Sequence, residues 1–133
     1  MHHCIDIKVY YEDTDCGGVV YYGRYLGFLE RARTEFLESR GIMLVDLMRE
    51  GIFFVVVHVD ISYLASARYG EVISITSEVI ETTGATITFR HEIFRKDQPG
   101  RMIGSALVRL ACVGSDMKPR RLTRGIADAV GSS

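Results

Sequence analysis

The sequence has few cysteines, no excess of either charge and no long apolar run, and each shortage removes a class of protein. Its three cysteines, Cys4, Cys16 and Cys112, cannot all pair, and their spacing matches no zinc-ligand pattern. A disulfide scaffold is therefore not expected, and a reducing compartment is. Lys and Arg number 16 against 17 Asp and Glu, for a formal net charge of -1. A general nucleic-acid binder would carry a basic excess. No apolar run reaches the roughly 18 residues of a membrane span. Asp6 and Lys8 interrupt the first ten residues, which lack the basic start and apolar stretch of a secretory signal. The expectation is a soluble, cytoplasmic protein with no nucleic-acid partner and no membrane span.

What is present suits one domain over residues 1–133. The chain is 47% apolar and 25% charged, close to globular averages, and two independent cores would each be too small. There is no internal repeat, low-complexity stretch or linker.

Residues Cys4 to Tyr11 alternate, with Ile5, Ile7, Val9 and Tyr11 on the apolar side, which predicts a half-buried strand. Residues 12–20, EDTDCGGVV, carry the acids and glycines of a loop. From Tyr22 to Arg40 the period becomes helical: Tyr25, Phe28, Leu29, Ala32 and Phe36 share one face, and Leu26 and Leu37 flank it. Gly41 suits a left-handed helix cap. Residues 43–50 predict a short second helix. Val55, Val57, Val59, Ile61 and Tyr63 then alternate with polar or smaller neighbours, and further strands follow over 73–79, 87–93 and 102–113. Thr82-Thr83-Gly84 and Asp97 to Gly100 supply the turns. The run Val108 to Val113 is apolar on both sides, which predicts cover on both faces. The tail after Gly114 is basic, with at most a weak helical turn. One amphipathic helix among antiparallel strands defines a two-layer α+β fold.

Asp15 stands in the glycine-bearing loop directly before the long helix. A helix start presents unpaired N–H groups and partial positive charge, which can polarise a carbonyl or hold an oxyanion. A carboxylate beside it can act as general base or nucleophile. Gly17 and Gly18 permit close approach of a ligand to the backbone. From spacing alone, the better-supported reading is that Asp13 and Asp15 only shape a turn and favour the helix start.

The stretch YYEDTDCGGVVYYGRYLGFLERARTEFLESRGI, residues 10–42, resembles the hot-dog-fold acyl-CoA thioesterases of the 4-hydroxybenzoyl-CoA thioesterase family. It is most similar to the subgroup associated with the Tol–Pal cell-envelope cluster. SYLASARYGE (62–71) and DMKPR (116–120) extend the resemblance in order along the chain. It implies one long helix wrapped by a five-stranded antiparallel sheet, and a homodimer or homotetramer with active sites at subunit interfaces. It places the catalytic carboxylate on Asp15 and the carbonyl-polarising backbone N–H on Tyr22, and implies no metal or redox cofactor. Tol–Pal-type members usually carry His where this chain has Tyr22, the residue of the 4-hydroxybenzoyl type. A backbone N–H survives either side chain.

The remaining candidates follow from that frame. Tyr63 and Ala65 lie in a segment that runs close to substrate in the family. Arg68, Lys118 and Arg120, with Arg121 and Arg124, suit the phosphates of coenzyme A through forked or ammonium donors, or else form a solvated basic surface. His58, Asp60 and Ser62 share a strand face, and side chains so spaced line up instead of converging as a triad. His91 falls on an apolar face and is expected to be packed. Cys16 has no sequence-visible base and is expected to be a spectator. The expected substrate is an acyl-CoA. Hydrolysis from acyl carrier protein, or non-catalytic acyl-CoA binding, are the alternatives.

Overall fold

Tyr25, Phe28, Leu29, Ala32, Phe36 and Leu37 repeat at helical spacing and are all buried, so one face of a long helix forms the centre of the molecule. The computed structural model describes residues 2–131. The helix, α1, spans Arg24–Ser39. Strand β1 (His3–Lys8) precedes it, and a 3-10 turn (Tyr11–Asp13) leads toward it. After α1 come a short helix α2 (Leu44–Arg49) and strands β2 (Phe53–Tyr63), β3 (Val72–Thr82), β4 (Thr86–Arg95) and β5 (Gln98–Val113). A last helix, α3, spans Arg124–Gly131.

The five strands form one antiparallel sheet in the order β1-β3-β4-β5-β2, curled around α1. Ile73, Ile75, Ile87, Phe89, Ile93, Val108 and Leu110 face the helix and are buried. Burying each such side chain stabilises the fold by about 1.5–3 kcal/mol. This is the α+β, helix-in-sheet architecture that the sequence implies. Gly41, at φ +81°, closes α1, and the Ile42 N–H donates back to the Leu37 carbonyl at 2.9 Å.

Several expectations change. Helix α1 starts at Arg24, and Tyr22 and Gly23 form the turn before it. Leu37 is covered by the chain's own core while Leu26 is 44% exposed, so only Leu26 remains an open flank. The expected alternation of β2 is broken by a bulge: Val56 pairs with Leu110 and His58 with Arg109, leaving Val57 as the extra residue. Phe54 before the bulge and Ile61 after it therefore both pack on the core, despite their odd spacing. In β5, Leu107 and Arg109 lie exposed on the outer face, so within one chain α1 covers one side of the strand, and cover of the other was expected from a second subunit. The weak turn expected in the tail is an eight-residue helix. Ile126 and Val130, one turn apart, bury against Phe36, Leu37 and Leu122. Thr123 caps it, its Oγ1 accepting from the Ile126 N–H at 3.3 Å.

His91 is wholly buried on the inner face of β4, stacked on Phe89. Its Nδ1 lies 3.0 Å from Ser77 Oγ, while Nε2 has no partner. Burial, and secondarily the Arg33 guanidinium, pull its pKa down to about 3. The unfolded chain, with a His pKa near 6.5, then binds a proton that the folded chain refuses. This contribution to stability is complete above about pH 6.5 and is lost as pH falls toward 3, by up to about 1.4 kcal/mol per pH unit. Denaturant melts at pH 7.5, 6 and 5 are expected to show this loss in the wild type and a flatter profile in His91→Phe. Equal slopes in the two proteins would contradict it.

Candidate active site

The two aspartates of the EDTD loop have opposite environments. Asp13 is only 8% exposed. Its Oδ2 accepts the Tyr10 N–H at 2.9 Å, its Oδ1 lies 3.1 Å from Arg24 Nε, and its carbonyl accepts the Tyr21 N–H at 3.0 Å. Arg24 opens α1, so this ion pair ties the loop to the helix start. Asp15 is exposed and heads a tight hairpin. Its N–H donates to the Val19 carbonyl and its carbonyl accepts the Gly18 N–H, both at 3.0 Å. Gly18 closes the loop at φ +77°, a region unfavourable to other residues. Asp15 Oδ1 accepts the Gly17 N–H at 2.9 Å, and Oδ2 has no partner among the described residues. The carboxylate opens on a groove of about 470 Å³, lined also by Thr14, Tyr21, Gly23 and Gly27.

At the helix start, the Arg24 N–H donates to the Tyr21 carbonyl at 2.8 Å and the Tyr25 N–H to the Tyr22 carbonyl at 3.3 Å. The N–H groups of Tyr22 and Gly23 donate to no group among the described residues. They are the free donors that a helix N-terminus supplies, with the partial positive charge of α1 behind them. The Tyr22 carbonyl is held by the Tyr63 hydroxyl, which donates to it at 3.2 Å. Tyr63 also packs against the rings of Tyr22 and Tyr25, with centroids 6.1 and 5.6 Å away. Burial pushes the Tyr63 and Tyr25 phenols up in pKa, so both remain neutral donors or acceptors at neutral pH. Tyr22, Tyr25, Tyr63, Ala65 and Ser66 line a second cleft of about 230 Å³ on this side of the helix start.

Arg68 joins the same region through the backbone. The Val20 N–H donates to the Ala67 carbonyl and the Tyr69 N–H to the Gly18 carbonyl, setting Arg68 opposite Val19. Tyr22, Tyr63 and Ala65 thus share one cleft at the helix start, Asp15 lies in the groove that includes Gly23, and Arg68 is set by its backbone opposite Val19 of the Asp15 hairpin. Lys118 and Arg120 do not join them within the chain. Pro119 bridges to Val113 and the Arg120 N–H donates to the Cys112 carbonyl, at the far end of β5. Tyr63 pairs with Gly104, and the stretch from Gly104 to Val113 spans about 30 Å. His58, Asp60 and Ser62 run along β2 with no hydrogen bond among them. No group of His, Cys, Asp and Glu among the described residues could hold a metal ion. Sequence reasoning missed the Asp13–Arg24 pair, the Gly23 donor and Tyr25, whose hydroxyl accepts the Ala67 N–H at 3.1 Å. The first had no signal in local spacing, because its partners lie on different elements.

The architecture is that of the hot-dog thioesterases. The thioesterase superfamily profile matches residues 17–100, and the chain belongs to that family. It is similar to the acyl-CoA thioesterase YbgC of Haemophilus influenzae, with 43% identity over 115 residues covering 85% of this chain and 82% of that protein. The crystal structure of a probable thioesterase from Bartonella henselae matches with a TM-score of 0.85 and 34% identity, covering 92% of this chain and 100% of the other. A 1,4-dihydroxy-2-naphthoyl-CoA thioesterase from Synechocystis shares the fold at a TM-score of 0.91 and 21% identity, over 98% of this chain and 96% of that one.

The two aspartates should separate in a stability measurement. Asp13→Ala removes a charged acceptor from two donors and is expected to cost about 1.5–3 kcal/mol, with a lower thermal midpoint. Asp15→Ala is expected to change stability by well under half of that. A larger loss for Asp15→Ala would reverse the assignment.

Proposed function

We propose that this enzyme hydrolyses an acyl-CoA thioester to a free acid and coenzyme A at the start of α1. The observation that carries the reading is the groove that Asp15, a carboxylate with a free oxygen, shares with Gly23 at the helix start, next in the chain to Tyr22, whose N–H also has no acceptor among the described residues. The substrate carbonyl takes up the Tyr22 N–H, which strengthens as negative charge develops on oxygen. Asp15 either draws a proton from the attacking water, which adds to the carbonyl, breaks the C–S bond and lets the thiolate take that proton, or attacks the carbonyl carbon itself, expelling the thiolate and leaving a mixed anhydride that water then hydrolyses to the free acid and the restored carboxylate. Arg68 holds coenzyme A phosphate at the rim. The curated relative is named an acyl-CoA thioesterase, which supports the thioester class, and the 10–42 motif supports the Tol–Pal-associated subgroup. Cytoplasmic location follows from the supply of acyl-CoA there.

A second copy completes this site. Strand β2 is an edge of 11 residues, free of proline, with Val56, Val57 and Val59 exposed. Such an edge recruits another strand. Two copies related by a two-fold axis pair β2 with β2 antiparallel. The Phe53 end of one copy then lies beside the Tyr63 end of the other. That arrangement carries Lys118 and Arg120 of a second copy, beside Val113 at the Phe53 end, toward this chain's helix start. The roughly 30 Å separation within one chain is thereby resolved. Sedimentation is expected to give a dimer or tetramer at micromolar concentration, and Val57→Lys, on the open edge, is expected to dissociate it. A stable wild-type monomer would refute this assembly.

Activity tests separate the roles. Asp15→Asn is expected to lower kcat by roughly 10²–10⁴-fold on the best acyl-CoA with folding intact. Tyr22→Phe keeps the N–H and is expected to keep most activity. Tyr22→Pro removes, besides the ring, an N–H that has no partner among the described residues and is expected to lose roughly 10²–10³-fold in kcat/KM, well below a Tyr22→Ala control that loses the ring alone. Thiol release and circular dichroism read both outcomes. Similar values for Phe and Pro would move the carbonyl away from this N–H.

A further inference from the structure

Arg33 is 7% exposed, and its guanidinium makes no hydrogen bond or ion pair among the described residues. Burial pulls its pKa down to about 10, so it stays charged at neutral pH. An unpaired buried cation is costly, and five N–H donors call for an acceptor. The residue opens on a cleft of about 260 Å³ between α1 and β2, with Leu26, Val56, Val59 and Val108 as apolar walls and Glu30 at its margin.

Gly27 lines both this cleft and the groove of Asp15, so the two adjoin at α1. A Cβ on Gly27 would meet nothing within 4 Å, so packing within the chain does not require glycine there. Glycine inside a helix costs about 1 kcal/mol against alanine. A side chain at this position would crowd the space where the two meet. An apolar cleft with a single placed donor, adjoining the groove of Asp15, has the composition of a ligand pocket. From Gly23 to Arg33 the helix rises about 15 Å, and side chains lean back toward the helix start. The Glu30 carboxylate disfavours an anionic occupant, so the matching acceptor is a neutral oxygen.

We propose that Arg33 is a specificity-determining residue that selects acyl groups bearing a neutral oxygen, such as a hydroxyl or carbonyl, at the end remote from the thioester. This rests on the hydrolase reading of the Asp15 groove. A contact with a second copy would also satisfy the guanidinium, but it would not call for a cleft that adjoins the Asp15 groove.

The test uses pairs of acyl-CoAs with and without an ω-hydroxyl, at chain lengths of roughly six to ten carbons as set by the helix rise. Wild type is expected to favour the hydroxylated member by at least about tenfold in kcat/KM, because the apolar analogue leaves the donor unpaired. Arg33→Met, of similar length, is expected to bring the ratio near one with an unchanged or higher thermal midpoint, and Arg33→Lys to retain part of it. Titration calorimetry on Asp15→Asn, with and without Arg33→Met, reads the same preference as binding and does not depend on turnover. If no acyl-CoA is hydrolysed, the proposed function fails while the binding ratio still judges Arg33. A wild-type ratio near one, or a ratio that Arg33→Met leaves unchanged, overturns the proposal. So does an Arg33→Met variant that falls apart to monomers with its preference intact, since the guanidinium then serves a second copy.

Discussion

Burial of the α1 face from Tyr25 to Leu37 under the curled sheet fixes where the start of that helix can lie. The apolar stripe sets the helix's rotation and depth, and the sheet has no freedom to slide past Phe28 and Phe36 without opening the core. The N-terminus is thereby held at the rim, where β2 ends at Tyr63 and the 67–69 segment pairs with the Asp15 hairpin. A site made of backbone donors needs this kind of support, because an N–H cannot be re-aimed by a rotamer change. The Tyr63 hydroxyl adds a second restraint by holding the Tyr22 carbonyl, on the opposite side of that residue from its free N–H.

The loop divides its charges by use. Asp13 spends both oxygens on structure, one on Arg24 and one on a backbone N–H, and is shielded from solvent. Asp15 makes only the local bond that shapes its own hairpin and keeps an oxygen free in an open groove. Two identical side chains, separated by Thr14, thus receive different tasks from their surroundings. The groove depends on the pair: without Asp13 fixing Arg24, the hairpin would lose its position relative to α1.

The open features of the chain lie on one side. Leu26 on α1, Val56 and Val59 of β2 and the unpaired guanidinium of Arg33 all border the same cleft. His91 is also buried and incompletely bonded, but it is neutral and sealed, whereas Arg33 is charged and opens on space. The physical difference is decisive: an orphaned neutral nitrogen is tolerated at modest cost, and a buried cation demands a partner.

The sequence by itself determined the α+β class, the long helix, its Gly41 cap and the alternating strands, because these depend on periodicities of 3.6 and 2 that local residues display. It also singled out Asp15 and Tyr22 as candidates, through a motif long enough to be specific. Tertiary structure decided what periodicity cannot hold. The bulge at Val57 reverses the face of β2 through its pairing with β5. Helix α3 depends on the cluster around Phe36 and Leu122 for its buried face, so a tail rich in arginine looked unstructured. The separate fates of Asp13 and Asp15, and the distance of Lys118 and Arg120 from the helix start, arise from contacts between elements far apart in the chain. Nothing in the spacing of ERARTE shows that Arg33 turns inward without a partner; only the packing of α1 against β2 makes that visible.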